Sequence, residues 1–279
     1  MDLIRVLVTT LQTVTHEFRP DGVLTDAAGN VTVTVRRLDG TEVVTGTAGH
    51  PGVGKYTFAP PAQATVDTMT MDWTGSFGGA TVTVRDVVEV VGGFLFGLTQ
   101  ARKDTGLSPV TYPDADIVAA RIGTEQECED ICGQAFVPRF MRIRLHGSGT
   151  DELVMPDINL RAVRALTIGG TAADPAAAVP SPEGVLYRDE VWPRGRGNII
   201  VEYEHGLDMP PLGIREASVL RLRSRMQQNT TSVPYRAISW QSGEGGTYRL
   251  STPGKTRTGM PDVDAAYERY TVPMVKASF

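Results

Sequence analysis

The sequence lacks the features that mark several classes of protein. Its two cysteines, Cys128 and Cys132, are too few for a disulfide framework or a cysteine metal site, and a bridge between positions four apart would be strained. No apolar run approaches the roughly 20 residues of a membrane span, and the start MDLIRVLVTT lacks an export-signal layout. We therefore expect no export, no membrane contact and two buried cysteines.

Basic residues are not in excess. The 279-residue chain has a net charge of −5, with 6 basic and 10 acidic side chains in residues 1–92 and 21 and 22 in residues 93–279. A dedicated DNA-binding protein needs a basic excess to neutralise phosphates. The balance excludes that class, but it is compatible with a passage through which DNA slides without sticking, or simply with solubility.

Catalytic and cofactor motifs are also missing. Residues 49–55 match the first seven positions of the phosphate-binding loop GxxxxGK[ST], but Tyr56 replaces the hydroxyl that contacts magnesium. We expect a glycine-rich β-turn there. No serine lies in a GxSxG elbow. The histidines show no metal-binding spacing, so only the tertiary fold could gather one with other ligands. The sequence predicts no enzyme, no cofactor and no metal site. The histidines are His16, His50, His146 and His205.

Residues 1–92 show the alternation typical of β-strands. Val31, Val33 and Val35 are an example, and clusters rich in Gly, Pro, Asn and Asp separate the alternating segments. Short strands at this spacing predict an immunoglobulin-like β-sandwich, although the Cys–Trp–Cys pattern of true immunoglobulins is absent. Gly92 and Gly93 break the pattern, which places a domain boundary there.

The second predicted domain, residues 93–279, contains a helix at about 113–133. Pro113 and Asp114 are typical of a helix start, where a carboxylate can accept backbone N–H groups, and Gly133 is typical of a helix end. The carboxylates between Glu125 and Asp130 are interpreted as a solvated face.

Alternation then returns in a β segment at 141–205. Within it, the Ala- and Pro-rich residues 171–182 are expected to form an exposed loop.

A second helix is predicted at 212–229, followed by an extended arm at 230–279 that includes a short helix from Pro261. Arginines decorate the second helix, and we expect some of them to lie at a subunit interface rather than to read bases. These arginines are Arg215, Arg221, Arg223 and Arg225. The apolar end of the arm, residues 271–279, could add a strand to a neighbour or fray as a chain end.

The order of several short motifs carries a family resemblance. An acidic helix leads into Cys132-Gly133-Gln134-Ala135-Phe136-Val137-Pro138-Arg139, and a β segment follows. Then come Tyr203-Glu204-His205-Gly206, a Pro210-Pro211 helix start and Thr258-Gly259-Met260-Pro261-Asp262-Val263-Asp264. From about Gly93 to the C-terminus, this order resembles the head-to-tail connector (adaptor) proteins of tailed double-stranded DNA bacteriophages.

The resemblance implies a structural virion protein made in the host cytoplasm and located in the neck of the particle. Such a protein forms a homo-oligomeric ring, twelve-fold in the family, beneath the portal protein. The other side of the ring receives a downstream connector, stopper or tail-terminator protein, and double-stranded DNA passes non-specifically along the axis during ejection. The two helices would form the connector body, and the N-terminal sandwich would decorate the outside.

The resemblance also assigns portal docking to the end of the chain. The residues concerned are Thr271, Val272, Pro273, Met274, Val275, Lys276, Ala277, Ser278 and Phe279.

An alternative is a β-sandwich module that recognises a carbohydrate or a cell-surface partner. A cluster of exposed Trp or Tyr side chains would favour it, but Trp73, Trp192 and Trp240 are widely separated in the sequence. A fold alone does not decide between these functions.

Overall fold

A computed structural model describes residues 2–227 and 257–272, and the backbone of 237–241 and 247–250. The fold is mixed α+β, with mostly β-sheet and few helices. The helices are α1 (Leu98–Thr105), α2 (Asp114–Cys132), α3 (Leu212–Gln227) and α4 (Pro261–Glu268). The strands up to residue 93 are β1 (Leu3–Leu7), β2 (Val14–Glu17), β3 (Thr32–Arg37), β4 (Glu42–Thr47), β5 (Gly49–Gly52), β6 (Lys55–Phe58), β7 (Asp67–Phe77) and β8 (Ala80–Val91). The later strands are β9 (Arg139–Gly147), β10 (Glu152–Val154), β11 (Leu160–Ile168), β12 (Thr171–Ala173), β13 (Val179–Pro180), β14 (Val185–Tyr187), β15 (Gly195–His205), β16 (Ala237–Gln241) and β17 (Thr247–Leu250).

The N-terminal strands form two sheets that share one core. A five-stranded sheet has the order β1-β8-β7-β3-β4, and a three-stranded sheet has the order β2-β6-β5. Pairing is antiparallel except between β1 and β8, which run parallel. Trp73 and Met71 from the larger sheet pack with Val14, Phe18 and Tyr56. The arrangement is sandwich-like, as the alternation predicts.

A second pair of sheets lies between residues 139 and 205. One has the order β12-β11-β15-β9 and the other β10-β14-β13. Their core includes Trp192, which is fully buried, together with Leu186, Ile199 and Tyr203. Burial, and then the charge of Asp157, raise the pKa of Tyr203, so the phenol stays protonated.

The prediction of an exposed loop at 171–182 is wrong. The segment contains β12, a short 3₁₀ helix at Pro175–Ala177 and β13. Ala178 is 3% exposed and packs in the core, and the Ser181 backbone N–H donates to Val185. An edge strand can contain proline, because one side of it needs no backbone N–H donors. β13 lies at the edge of its sheet, which explains why this proline-rich sequence forms a strand.

The described chain separates into two units. One contains the residues up to Gly93 together with Pro138–Gly206, and the other contains Phe94–Val137 together with the described residues from Leu207 onward. The predicted domains were continuous, with the β segment assigned to residues 93–279. The structure groups that segment with the N-terminal sheets, because backbone bonds such as Gly92 N–H to Pro138 O (3.0 Å) join them.

The helical unit is built on α2 and α3. Gly133 ends α2 in the left-handed conformation (φ 67°), and its N–H donates to Glu129 O at 2.8 Å, as expected of a glycine cap. No side chain caps the start of α2, because the N-cap residue is Pro113, whose ring has no hydrogen-bond acceptor, and the Asp114 carboxylate in the first turn accepts from Arg102. In the part of the chain that the structure describes, no helix combines the length and apolarity that crossing a bilayer requires.

We predict that Gly92→Ala destabilises the sheet-rich unit. A Cβ at this position would lie 2.7 Å from Cβ and Cγ of Pro138, whose ring cannot turn away. We expect a loss of about 1–3 kcal/mol in the free energy of unfolding, typical of overpacking. Gly52→Ala is the control, because a Cβ there meets no atom within 4 Å. Equal denaturant midpoints for the two variants would contradict the prediction.

Candidate interaction surface

Buried apolar side chains hold the helices of the second unit together. Ile117, Cys128 and Cys132 of α2 pack in one core with Leu222 of α3 and Tyr267 of α4. Both cysteines are free and buried, which confirms their predicted role as small core residues. A hydrogen bond with Cys132, and then burial, raise the pKa of the Cys128 thiol, so it is not a thiolate nucleophile at neutral pH.

The acidic side of α2 is not simply a solvated face. Glu125 is 0% exposed, and its carboxylate accepts the backbone N–H of Leu95 at 2.9 Å. Arg121, one turn earlier, lies 3.5 Å over the ring of Phe94. The prediction of a solvated face is therefore wrong for Glu125, because the chain entering the unit at residues 94–95 covers this part of the helix.

Glu127 binds two of the predicted interface arginines within the same chain. Its carboxylate accepts two hydrogen bonds from Arg221, at 2.7 and 2.8 Å, and lies 3.1 Å from Arg225. Burial works to raise the pKa of Glu127, but the two guanidinium groups outweigh it and hold the pKa below its ordinary value of 4.5. These two arginines therefore tie α3 to α2.

The other two arginines occupy different surroundings. Arg215 is half-buried. Arg223 is exposed, and its Nε donates to Gln227 at 3.3 Å. Whether any of the four lies at a subunit interface stays a prediction, and Arg223 is the one whose surroundings leave it open to a partner.

Arg223 belongs to an exposed stripe along α3 that sequence reasoning did not single out. Leu212 is 61% exposed and Leu220 is 45% exposed, and Glu216 is also exposed. Positions 212, 216, 220 and 223 follow one another at helical spacing, so their side chains share one side of the helix. We call these four residues the α3 outer face. Sequence reasoning missed this face because apolar residues lie on most sides of the helix. The sequence pattern does not show which of the leucines remain outside the core.

The segment that leads to the predicted portal-docking residues is hydrogen-bonded to the end of α2. The Val272 N–H donates to Cys132 O at 2.9 Å, and the Arg257 guanidinium donates to Ile131 O at 2.7 Å. Of the predicted docking residues, Thr271 and Val272 are described, and 273–279 lie outside the described residues. A cavity of about 230 Å³ beside this segment is lined by Ile131, Arg257, Asp264, Glu268 and Thr271.

The segment that resembles a phosphate-binding loop is a β-hairpin, as predicted. β5 and β6 pair across it, and the Gly54 N–H donates to the Asp26 carboxylate at 2.6 Å. A bound carboxylate on this N–H disfavours a phosphate in the same place.

That the chain is not an enzyme stays a prediction.

Trp73 and Trp192 are fully buried, so neither offers the exposed aromatic surface that the alternative binding-module function would use. The side chain of Trp240 lies outside the described residues.

The chain is thus a mixed α+β protein with an exposed helical face. No protein-family model and no curated protein matches the chain. A solved structure titled "Drosophila OTK, extracellular domains 3-5" is similar over 68% of this chain and 54% of that chain, with 11% sequence identity and a TM-score of 0.20. The chain thus spans about half the length of that structure, and the low TM-score carries no conclusion about fold or function.

We predict that Glu127→Gln lowers the free energy of unfolding by about 2–4 kcal/mol, because it removes the carboxylate that accepts two hydrogen bonds from the largely buried Arg221 guanidinium. Chemical denaturation would measure this loss. Glu190→Gln is the control, because Glu190 is 82% exposed in its pair with Arg188, and such pairs contribute about 0–1 kcal/mol.

The ion pair also sets a pH dependence. Since the pKa of Glu127 is lowered in the folded state, its stabilisation is complete above pH 4.5 and is lost as the pH falls through the folded-state pKa. Glu127→Gln should therefore flatten the stability profile below pH 4.5. An unchanged acid limb would contradict this assignment.

Proposed function

We propose that this chain is a head-to-tail connector of a tailed double-stranded DNA phage. It forms a ring beneath the portal protein, joins the capsid to the tail and lines part of the DNA channel. The motif order from Gly93 to the C-terminus supports the proposal at the level of family. The structural observation that supports the proposal is the α3 outer face, where Leu212 and Leu220 are exposed beside the charged Glu216 and Arg223.

The mechanism is mechanical. A contact between two different patches of the same protein, repeated by rotation, closes a ring of many identical joints. Exposed leucines supply burial when a neighbour covers them, and arginine is enriched in interfaces because it combines charge with a flat apolar surface. In this scheme Arg221 and Arg225 hold α3 in position, and the α3 outer face meets the neighbouring subunit.

The proposal also includes finer assignments of fold. Residues 1–92 form an immunoglobulin-like sandwich on the outside of the ring, and α2 and α3 form the connector body. The net charge of −5 supports a channel in which DNA phosphates find few cations to bind, so that DNA passes without sticking.

We predict that the purified chain is monomeric and assembles into a ring on the portal protein encoded by the same genome. Light scattering coupled to size-exclusion chromatography would measure the mass with and without portal. Leu220→Glu should abolish assembly, because a carboxylate in a covered apolar contact is costly. Its unfolding temperature should remain unchanged, because the side chain is exposed in the subunit.

The control is Val53→Glu, which places the same charge on a 62% exposed residue of the β5–β6 turn. It should assemble normally. A wild-type chain that ignores portal would overturn the proposed function. Assembly of Leu220→Glu at the wild-type level would overturn only the assignment of the α3 outer face.

We also predict that a chain ending at Val272 no longer binds portal. The resemblance assigns docking to residues 271–279, and Val272 itself stays attached to Cys132 by its backbone. The truncated chain should therefore keep its unfolding temperature while pull-down by portal is lost. Retained binding would show that docking uses another part of the chain.

A further inference from the structure

Three ligand-type side chains from three different strands or their ends converge in the N-terminal sandwich. Asp2, His16 and Asp86 each bring one ligand atom within 4.8 Å of the other two. His16 Nδ1 lies 2.8 Å from Asp86 Oδ2, and the Asp2 backbone N–H donates to Asp86 Oδ1 at 3.1 Å. Over the part of the chain that the structure describes, this is the one such group found.

The register of the parallel pair explains why two carboxylates meet here. Leu3 of β1 is opposite Val87 of β8, so the residues before them, Asp2 and Asp86, are neighbours across the pair. Like charges in this position repel one another. Asp86 is also 1% exposed, so water screens its charge poorly. A cation between the carboxylates would offset the repulsion between them.

His16 is held in place to act as the third ligand. It lies on β2, in the opposite sheet, and is 7% exposed. Its ring stacks on Trp73 at 5.4 Å between centroids and meets the edge of Phe18 at 4.8 Å. These contacts fix the ring so that Nδ1 faces Asp86, and fixed orientation is what a metal ligand requires.

We propose that Asp2, His16 and Asp86 form a binding site for a divalent first-row transition metal ion, with Zn²⁺ as its natural probe. One imidazole nitrogen and two carboxylates are ligands that Zn²⁺ accepts, and three protein ligands leave a further position for water on the exposed side at Asp2. With ligand bonds of about 2.0–2.2 Å, tetrahedral geometry places the donors of one ion about 3.3–3.6 Å apart. Binding would therefore draw the most distant donors, now within 4.8 Å, together and would widen the 2.8 Å contact between His16 and Asp86.

Binding replaces the His16–Asp86 hydrogen bond with bonds from Nδ1 and the carboxylate to the metal ion, and the neutral imidazole then carries its hydrogen on Nε2. The ion would then connect β1, β2 and β8, and so join the two sheets of the sandwich. This site is independent of the connector proposal, which concerns the helical unit.

The test is titration of the untagged, chelator-stripped full chain with Zn²⁺ in a calorimeter. We expect one strong site per chain and a higher unfolding temperature in Zn²⁺. Asp2→Asn should weaken binding at least about 10-fold and remove the thermal shift. This variant should still fold, because the bonds that hold Asp2 in the sheet come from its backbone.

The matched control is His50→Ala. His50 Nε2 also lies 2.9 Å from a carboxylate, that of Asp26, but this pair is exposed, and no third ligand joins it among the residues that the structure describes. The control should bind Zn²⁺ like the wild type. Absence of a stoichiometric site, equal affinity of Asp2→Asn and wild type, or loss of binding in His50→Ala would each overturn the proposal and leave His16–Asp86 as a structural hydrogen bond only.

Discussion

The helical unit depends on one carboxylate between two helices. Glu127 on α2 accepts both hydrogen bonds of Arg221 and lies against Arg225, so it joins α2 to α3 at the edge of their shared apolar core. Charged groups removed from water are tolerated only when they are paired. This pairing fixes the rotation of α3 about its axis, and that rotation decides which residues of α3 remain on the outside. Gly123 of α2 leaves room for the Arg225 guanidinium to lie across it.

In the sheet-rich unit, too, buried polar groups are paired with partners that satisfy them. Its two pairs of sheets are joined by hydrogen bonds, which include the bond from the Gly92 N–H to Pro138 O and one from the Arg164 guanidinium to Val66 O at 2.6 Å. The polar groups of His16 and Asp86 are buried among apolar neighbours, and they satisfy each other. Buried polar groups of this kind constrain which strands can pair, because any other register would leave them without partners.

In the connector proposal, the ring is held together by many identical weak contacts between subunits rather than by a single strong contact. The α3 outer face offers two leucines and two opposite charges, a modest surface for one contact. A ring multiplies such a contact by the number of subunits, and closure makes each joint depend on all the others. A chain of this design can remain monomeric until a template brings its copies together.

The sequence by itself determined the local structure where chain chemistry is decisive. Alternation in residues 1–92 predicted strands, Gly133 predicted the end of α2, and Cys128 and Cys132 were expected in the core. It could not determine what depends on distant partners. The sequence around Glu125 is typical of a surface residue, but in the fold its carboxylate is buried against the Leu95 N–H. The proline-rich sequence of 171–182 is typical of a loop, but in the fold it supplies the edge strand β13. Asp2, His16 and Asp86 are far apart in sequence, and only the pairing of β1 with β8 and the packing of two sheets bring them together. Periodicity reports which side of an element is apolar, but the partner that covers that side, and the charges that meet there, are decided by tertiary packing.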